Sequence, residues 1–130
     1  MSFVPVKSDN GAVLPWEYMS AAAGTYRVGQ LLNVADGKVT AITSPSTTTP
    51  PYLCMADKTA ADGEPLAVTR VSRDYIYETQ LSAEAASAKV GTKLQVSKGG
   101  LEADGAAAGT FEVVTLAETA AGSTVRGRWV

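Results

Sequence analysis

The sequence predicts an all-β protein: a small β-barrel or β-sandwich built from two related hairpin units, with an extended N-terminal arm. Three observations point there. Thr and Val each occur 14 times in 130 residues and Gly 12 times, a mixture that suits strands and turns better than helices. Turn dipeptides recur, with Asp-Gly at 36–37, 62–63 and 104–105 and Gly-Gly at 99–100, and both types tolerate the positive φ angles of tight hairpins. Between these signals lie short alternating stretches, spaced roughly every 8–12 residues as in sandwiches and barrels.

Residues 1–24 read as an N-terminal arm or edge strand. FVPVK (3–7) alternates, a Ser-Asp-Asn-Gly turn fills 8–11, and VLPWEYM (13–19) follows. Pro5 and Pro15 lack a backbone donor, which suits an edge and not a central strand. Phe3, Val4, Val6, Leu14, Trp16, Tyr18 and Met19 give this stretch more apolar surface than an isolated tail should leave in water. These seven are the candidate contacts with a neighbouring subunit. The competing reading folds the same stretch onto the chain's own core.

Residues 25–130 read as a single β domain, with strands expected at 30–35, 38–43, 52–57, 65–72, 75–81, 93–97, 100–104, 111–118 and 124–130. SPSTTTPP (44–51) reads as a solvated loop. SAEAASAK (82–89) alone has helical composition, with Ser82 as a possible N-cap for at most two turns. GQLLNVADGKVTA (29–41) aligns without a gap on GTKLQVSKGGLEA (91–103), pairing Leu32 with Leu94, Val34 with Val96 and Gly37 with Gly99. Two equivalent, superposable hairpins are therefore expected. Leu32, Val34, Cys54, Val68, Leu94, Val96 and Val113 fall on the apolar phase of their strands and are expected in the core.

Composition removes several function classes. The chain has no His, so the commonest general base and transition-metal ligand are missing. Its one cysteine, Cys54, rules out an internal disulfide framework or a cysteine-cluster zinc site. No apolar run approaches the ~20 residues of a membrane span, and the opening MSFVPVKSDNG lacks the pattern of a secretory leader. A pI near 5.0 without a basic stripe argues against a nucleic-acid partner. The paired carboxylates Asp57/Asp62 and Glu102/Asp104 adjoin Asp-Gly turns, where carboxylates cap the turn. ADGAAAG (103–109) lacks the lysine of a phosphate loop. Tyr75 and Tyr77 share one strand face and are expected to pack in a core or against a subunit. No catalytic, cofactor or metal residue is expected.

Four motifs in order, Leu-Pro-Trp-Glu-Tyr-Met (14–19), Gly-x-x-Leu-x-Val (29–34), Tyr-Leu-Cys-Met (52–55) and Ile-Tyr-Glu-Thr-x-Leu-Ser (76–82), resemble those of the head-decoration proteins of tailed bacteriophages. These are also called cement or capsid-stabilising proteins and are found in prophages. The resemblance covers roughly residues 13–130. It implies a small β-barrel or β-sandwich, often a homotrimer, that is bound to the major capsid protein on the outside of the virion shell. It implies no catalytic residues, no cofactor and neither a nucleic-acid nor a membrane partner. Two other readings remain open: a carbohydrate- or ligand-binding β module with aromatics on an exposed face, and another head-tail or tail component.

Overall fold

Asp-Gly and Gly-Gly turns cut the chain into short β-branched segments, and the computed structural model, which describes residues 2–8 and 16–130, forms strands from them. In order these are β1 (Val4–Ser8), β2 (Glu17–Ser20), β3 (Gly24–Tyr26), β4 (Leu31–Ala35), β5 (Lys38–Ala41), β6 (Tyr52–Cys54) and β7 (Lys58–Ala60). The second half adds β8 (Pro65–Arg70), β9 (Tyr75–Gln80), β10 (Lys93–Val96), β11 (Ala103–Asp104), β12 (Phe111–Leu116) and β13 (Thr124–Trp129). The described residues contain no helix. The expected helical turns at 82–89 are absent because the backbone there bonds to distant partners. Ser82 N–H donates to Ala103 O and Ala85 N–H to Thr119 O, both at 2.9 Å. Eight residues are too few to nucleate a helix against such competition.

Two antiparallel sheets form the body. One has six strands in the order β1-β9-β13-β12-β10-β11, the other five in the order β2-β8-β6-β4-β5, and β3 and β7 make a small separate pair. The architecture is a β-sandwich. Its main core places Phe111, Trp129, Tyr77 and Leu94 of the six-stranded sheet against Leu31, Ile42 and Leu53 from the other side. A second cluster, including Leu32, Tyr52, Cys54, Leu66 and Val68, fills the opposite face of the five-stranded sheet. Register explains the division. Leu31 pairs with Leu53 and Leu32 with Tyr52, so successive residues of β4 and β6 face different cores. A strand buried on both faces carries an unbroken apolar run, as in Leu31-Leu32 and Tyr52-Leu53-Cys54.

The last five strands of the first sheet, β9-β13-β12-β10-β11, follow the same path as β2-β8-β6-β4-β5. Each path curls until its ends touch at one parallel bridge, Leu81 to Ala103 in the first sheet and Ala21 to Val39 in the second. Matching turns support them: Gly29 N–H donates to Cys54 O, and Gly91 N–H to Val113 O, each at 2.9 Å. The expected hairpin superposition, however, is not reproduced. Leu32 pairs with Ala41 across a two-residue turn in which Asp36 (φ 53°) and Gly37 (φ 74°) are both left-handed. In the second unit Val96, not Leu94, faces Ala103, and β11 shrinks to two residues. The likeness therefore lies in strand order and turns, not in the hairpins.

The same difference corrects one core expectation. Val34 is 45% exposed, whereas Val96 is 1% exposed. Pairing of β6 with β4 stops at Leu32, so no strand flanks Val34 on that side, whereas its β5 partner Val39 is buried beside Ala21. Val96 is covered instead. Ser46 and Val96 exchange backbone hydrogen bonds at 2.9 Å, which ties the Ser/Thr/Pro loop across β10. That loop was expected to be solvated, yet it also fastens Thr49 Oγ1 to Thr110 Oγ1 at 2.8 Å. Gly100 is needed where it stands: its φ is +75°, and a Cβ there would collide with the Leu31 carbonyl.

Candidate interaction surface

The arm residues occupy an edge of each sheet. β1 pairs with β9, setting Val4 opposite Glu78, Pro5 opposite Tyr77 and Lys7 opposite Ile76. The register shifts between Pro5 and Lys7, and a bulge of this kind re-aims side chains. Val6 and Lys7 are consequently both exposed, as is Val4. β2 pairs with β8, Tyr18 opposite Ala67 and Met19 opposite Leu66. Alternation sends Trp16 and Tyr18 outward, where they are 58% and 73% exposed.

Two of the seven candidates take other roles. Phe3 is not a subunit contact: it is buried in the chain's own core, with its ring 5.5 Å from Phe111 and 5.9 Å from Trp129. Its N–H donates to Gly29 O at 2.8 Å, which holds the segment down. The reason is the large transfer gain of a phenyl ring, available within reach of the first strand. Met19 is half-buried against the second core cluster, so it faces inward. Leu14 lies outside the described residues. Val4, Val6, Trp16 and Tyr18 remain, half of the eight large hydrophobic residues exposed among those described. Single exposed apolar residues are ordinary, but their concentration along two short edge strands makes this the candidate contact surface.

Reactive groups elsewhere are engaged structurally. The Cys54 thiol donates to Ala56 O at 3.0 Å, and burial pushes its pKa up, away from thiolate character. Tyr77 accepts a hydrogen bond from Ser72 N–H at 3.1 Å, and burial raises its pKa too. Tyr75, Tyr77 and Trp129 are all buried, which leaves Trp16 and Tyr18 as the exposed aromatics among the described residues that a sugar-binding face could use. Asp57 accepts from Val28 N–H at 2.8 Å, Asp62 pairs with Lys38 at 2.9 Å, and Asp104 accepts from Gln95 and Ala106. Only Asp104, accepting from Ala106 two residues on, takes the turn role expected of it, while Asp57 and Asp62 tie down distant segments instead. Among the described residues no group of three His, Cys, Asp or Glu side chains could hold a metal ion.

An open cleft of about 760 Å³ lies beside β3 and β7, lined by Thr25, Tyr26, Arg27, Asp57, Lys58 and others. Several of its polar groups bond within the protein. Thr25 and Thr59 hydroxyls lie 3.1 Å apart, Lys58 donates to Pro65 O, and Tyr26 donates to Ala22 O. Sequence reasoning missed this pair of strands because three-residue strands with a single apolar inward residue leave no detectable alternation. No protein-family model matches the chain, and no curated protein matches it.

Proposed function

We propose that this protein is a structural virion component that binds the outer surface of a tailed-phage capsid and stabilises it, with its copies associating with one another. Its partner in this reading is the major capsid protein, and its place is the exterior of the shell. The observation that carries the reading is the concentration of exposed Val4, Val6, Trp16 and Tyr18 on the two edge strands of the arm. The order of motifs shared with head-decoration proteins supports it. Attachment by surface contact alone suits such a part, because repetition over a symmetric lattice turns a modest contact per copy into a large total stabilisation. Phe3 anchors the arm in its own core, so the exposed residues are presented on a fixed backbone and lose little entropy on binding.

The test is co-sedimentation with capsid shells that lack the protein. Wild-type protein should pellet with shells, and a variant carrying Val4→Ser, Val6→Ser, Trp16→Ser and Tyr18→Ser should stay in the supernatant while remaining folded by circular dichroism. A folded variant that pellets like wild type would remove the arm from the contact.

A further inference from the structure

We infer that the cleft beside β3 and β7 is a binding site for a neutral oligosaccharide, held by Arg27, Asp57, Thr25 and Thr59. This goes beyond the capsid reading and needs neither a shell nor a second copy of the chain. Strand register builds the site. Thr25 pairs with Thr59 and Tyr26 with Lys58, so the next step along the ribbon sets Arg27 opposite Asp57. Alternation puts Thr25, Arg27, Asp57 and Thr59 on one exposed face, while Tyr26 turns inward to the second core cluster. All four line the cleft. The Arg27 N–H donates to Gln30 Oε1 at 3.1 Å and the Val28 N–H to Asp57 Oδ1 at 2.8 Å, which fixes the backbone that carries the Arg27 side chain.

The groups left uncommitted select the ligand. The exposed Arg27 guanidinium has no partner among the described residues, so its planar fork of donors is open. Asp57 uses one oxygen on Val28 and keeps the other as an acceptor. The Thr25 and Thr59 hydroxyls share a single 3.1 Å bond, which leaves one proton and several lone pairs unused. Lys58 is already engaged: it donates to Pro65 O at 2.8 Å and lies 3.9 Å from Glu64. What remains is one cation, one anion and two hydroxyls, a nearly neutral array that both donates and accepts. A small anion would meet the Asp57 carboxylate at like charge. A vicinal diol carries no charge, and can accept from Arg27 while donating to Asp57. The exposed Val28 side chain supplies an apolar patch for the C–H face of a sugar ring. The volume of about 760 Å³ lies within the ~300–1,000 Å³ of small-molecule sites, and the open side leaves room for a chain to extend.

The experiment titrates the isotope-labelled full chain, followed by amide chemical shifts, with maltotriose, cellotriose and tri-N-acetylchitotriose as probes. At least one sugar should shift the amides of residues 25–28 and 57–59 and saturate at millimolar concentration, since an open cleft leaves much of the ligand in water. Arg27→Ala should weaken that binding at least about tenfold, through the loss of hydrogen bonds from a charged donor. The Arg27 side chain bonds to nothing else among the described residues, so this variant should keep the wild-type spectrum away from the cleft. Asp57→Asn keeps the acceptor for Val28 but loses the charge, and should weaken binding as well. Inorganic phosphate should leave these amides unmoved. Shifts with none of the three sugars, undiminished binding by Arg27→Ala, or saturation of the same amides by phosphate would overturn the inference.

Discussion

Replacing Phe3 by Ala tests whether the first strand belongs to the protein's own core. The side chain is 1% exposed and sits among Phe111, Trp129 and the rest of the main cluster. Deleting a buried phenyl ring typically costs ~3–5 kcal/mol, of which its aromatic contacts supply about 0.5–1.5 kcal/mol per pair. The edge-on Phe111 contact and the tilted Trp129 contact place Phe3 in the upper part of that range. For a chain of this size each kcal/mol lowers Tm by about 3–5 °C, so a fall on the order of 10–20 °C is expected. Urea unfolding followed by tryptophan fluorescence should show a lower midpoint at unchanged slope. Val4→Ala, on the exposed face of the same strand, should change stability by no more than ~0.5 kcal/mol. A Phe3→Ala loss below ~1 kcal/mol would refute the packing of the arm in its own chain. The same reasoning makes deletion of residues 1–12 a poor probe of partner binding, because it removes a core ring together with the contact residues.

Two further outcomes follow from burial. Val96→Ala should cost about 2 kcal/mol and Val34→Ala no more than ~0.5 kcal/mol, measured by the same urea midpoints, although the two valines align in sequence. Burial raises the Tyr77 hydroxyl above its ordinary pKa of 10.0, so the folded state holds its proton more tightly than the unfolded chain. That stabilisation is complete below pH 10 and is lost as pH rises through the folded value. Stability should therefore fall as pH rises from 10 toward the folded value, less steeply in Tyr77→Phe than in wild type by alkaline urea titration.

Strands were legible where β-branched residues alternate between glycine turns, as in β4, β8, β9, β12 and β13. What was not legible depends on long-range contact. Val34 and Val96 occupy equal phases of equal-looking hairpins, and only the Ser46 loop crossing β10 decides that one is buried. The Ala-rich 82–89 segment has helical composition but is claimed by backbone groups of Ala103 and Thr119. In the arm, Trp16, Tyr18 and Met19 read alike as contacts although alternation places Met19 on the opposite, inward face, and no local pattern says which core Phe3 enters. That choice is made by Phe111 and Trp129, more than 100 residues away in sequence. Proline placement was legible at Pro5, which stands on an edge strand as its missing donor suggests, while Pro15 lies outside the described residues.

The central claim is that the exposed face of the two arm strands is the contact surface. Hydrogen exchange followed by mass spectrometry, comparing the full chain free and bound to capsid shells, measures this directly. The account predicts that the amides gaining protection on shells lie in Val4–Ser8 and Glu17–Ser20. Unchanged exchange in both strands, with new protection appearing elsewhere on the sandwich, would contradict it.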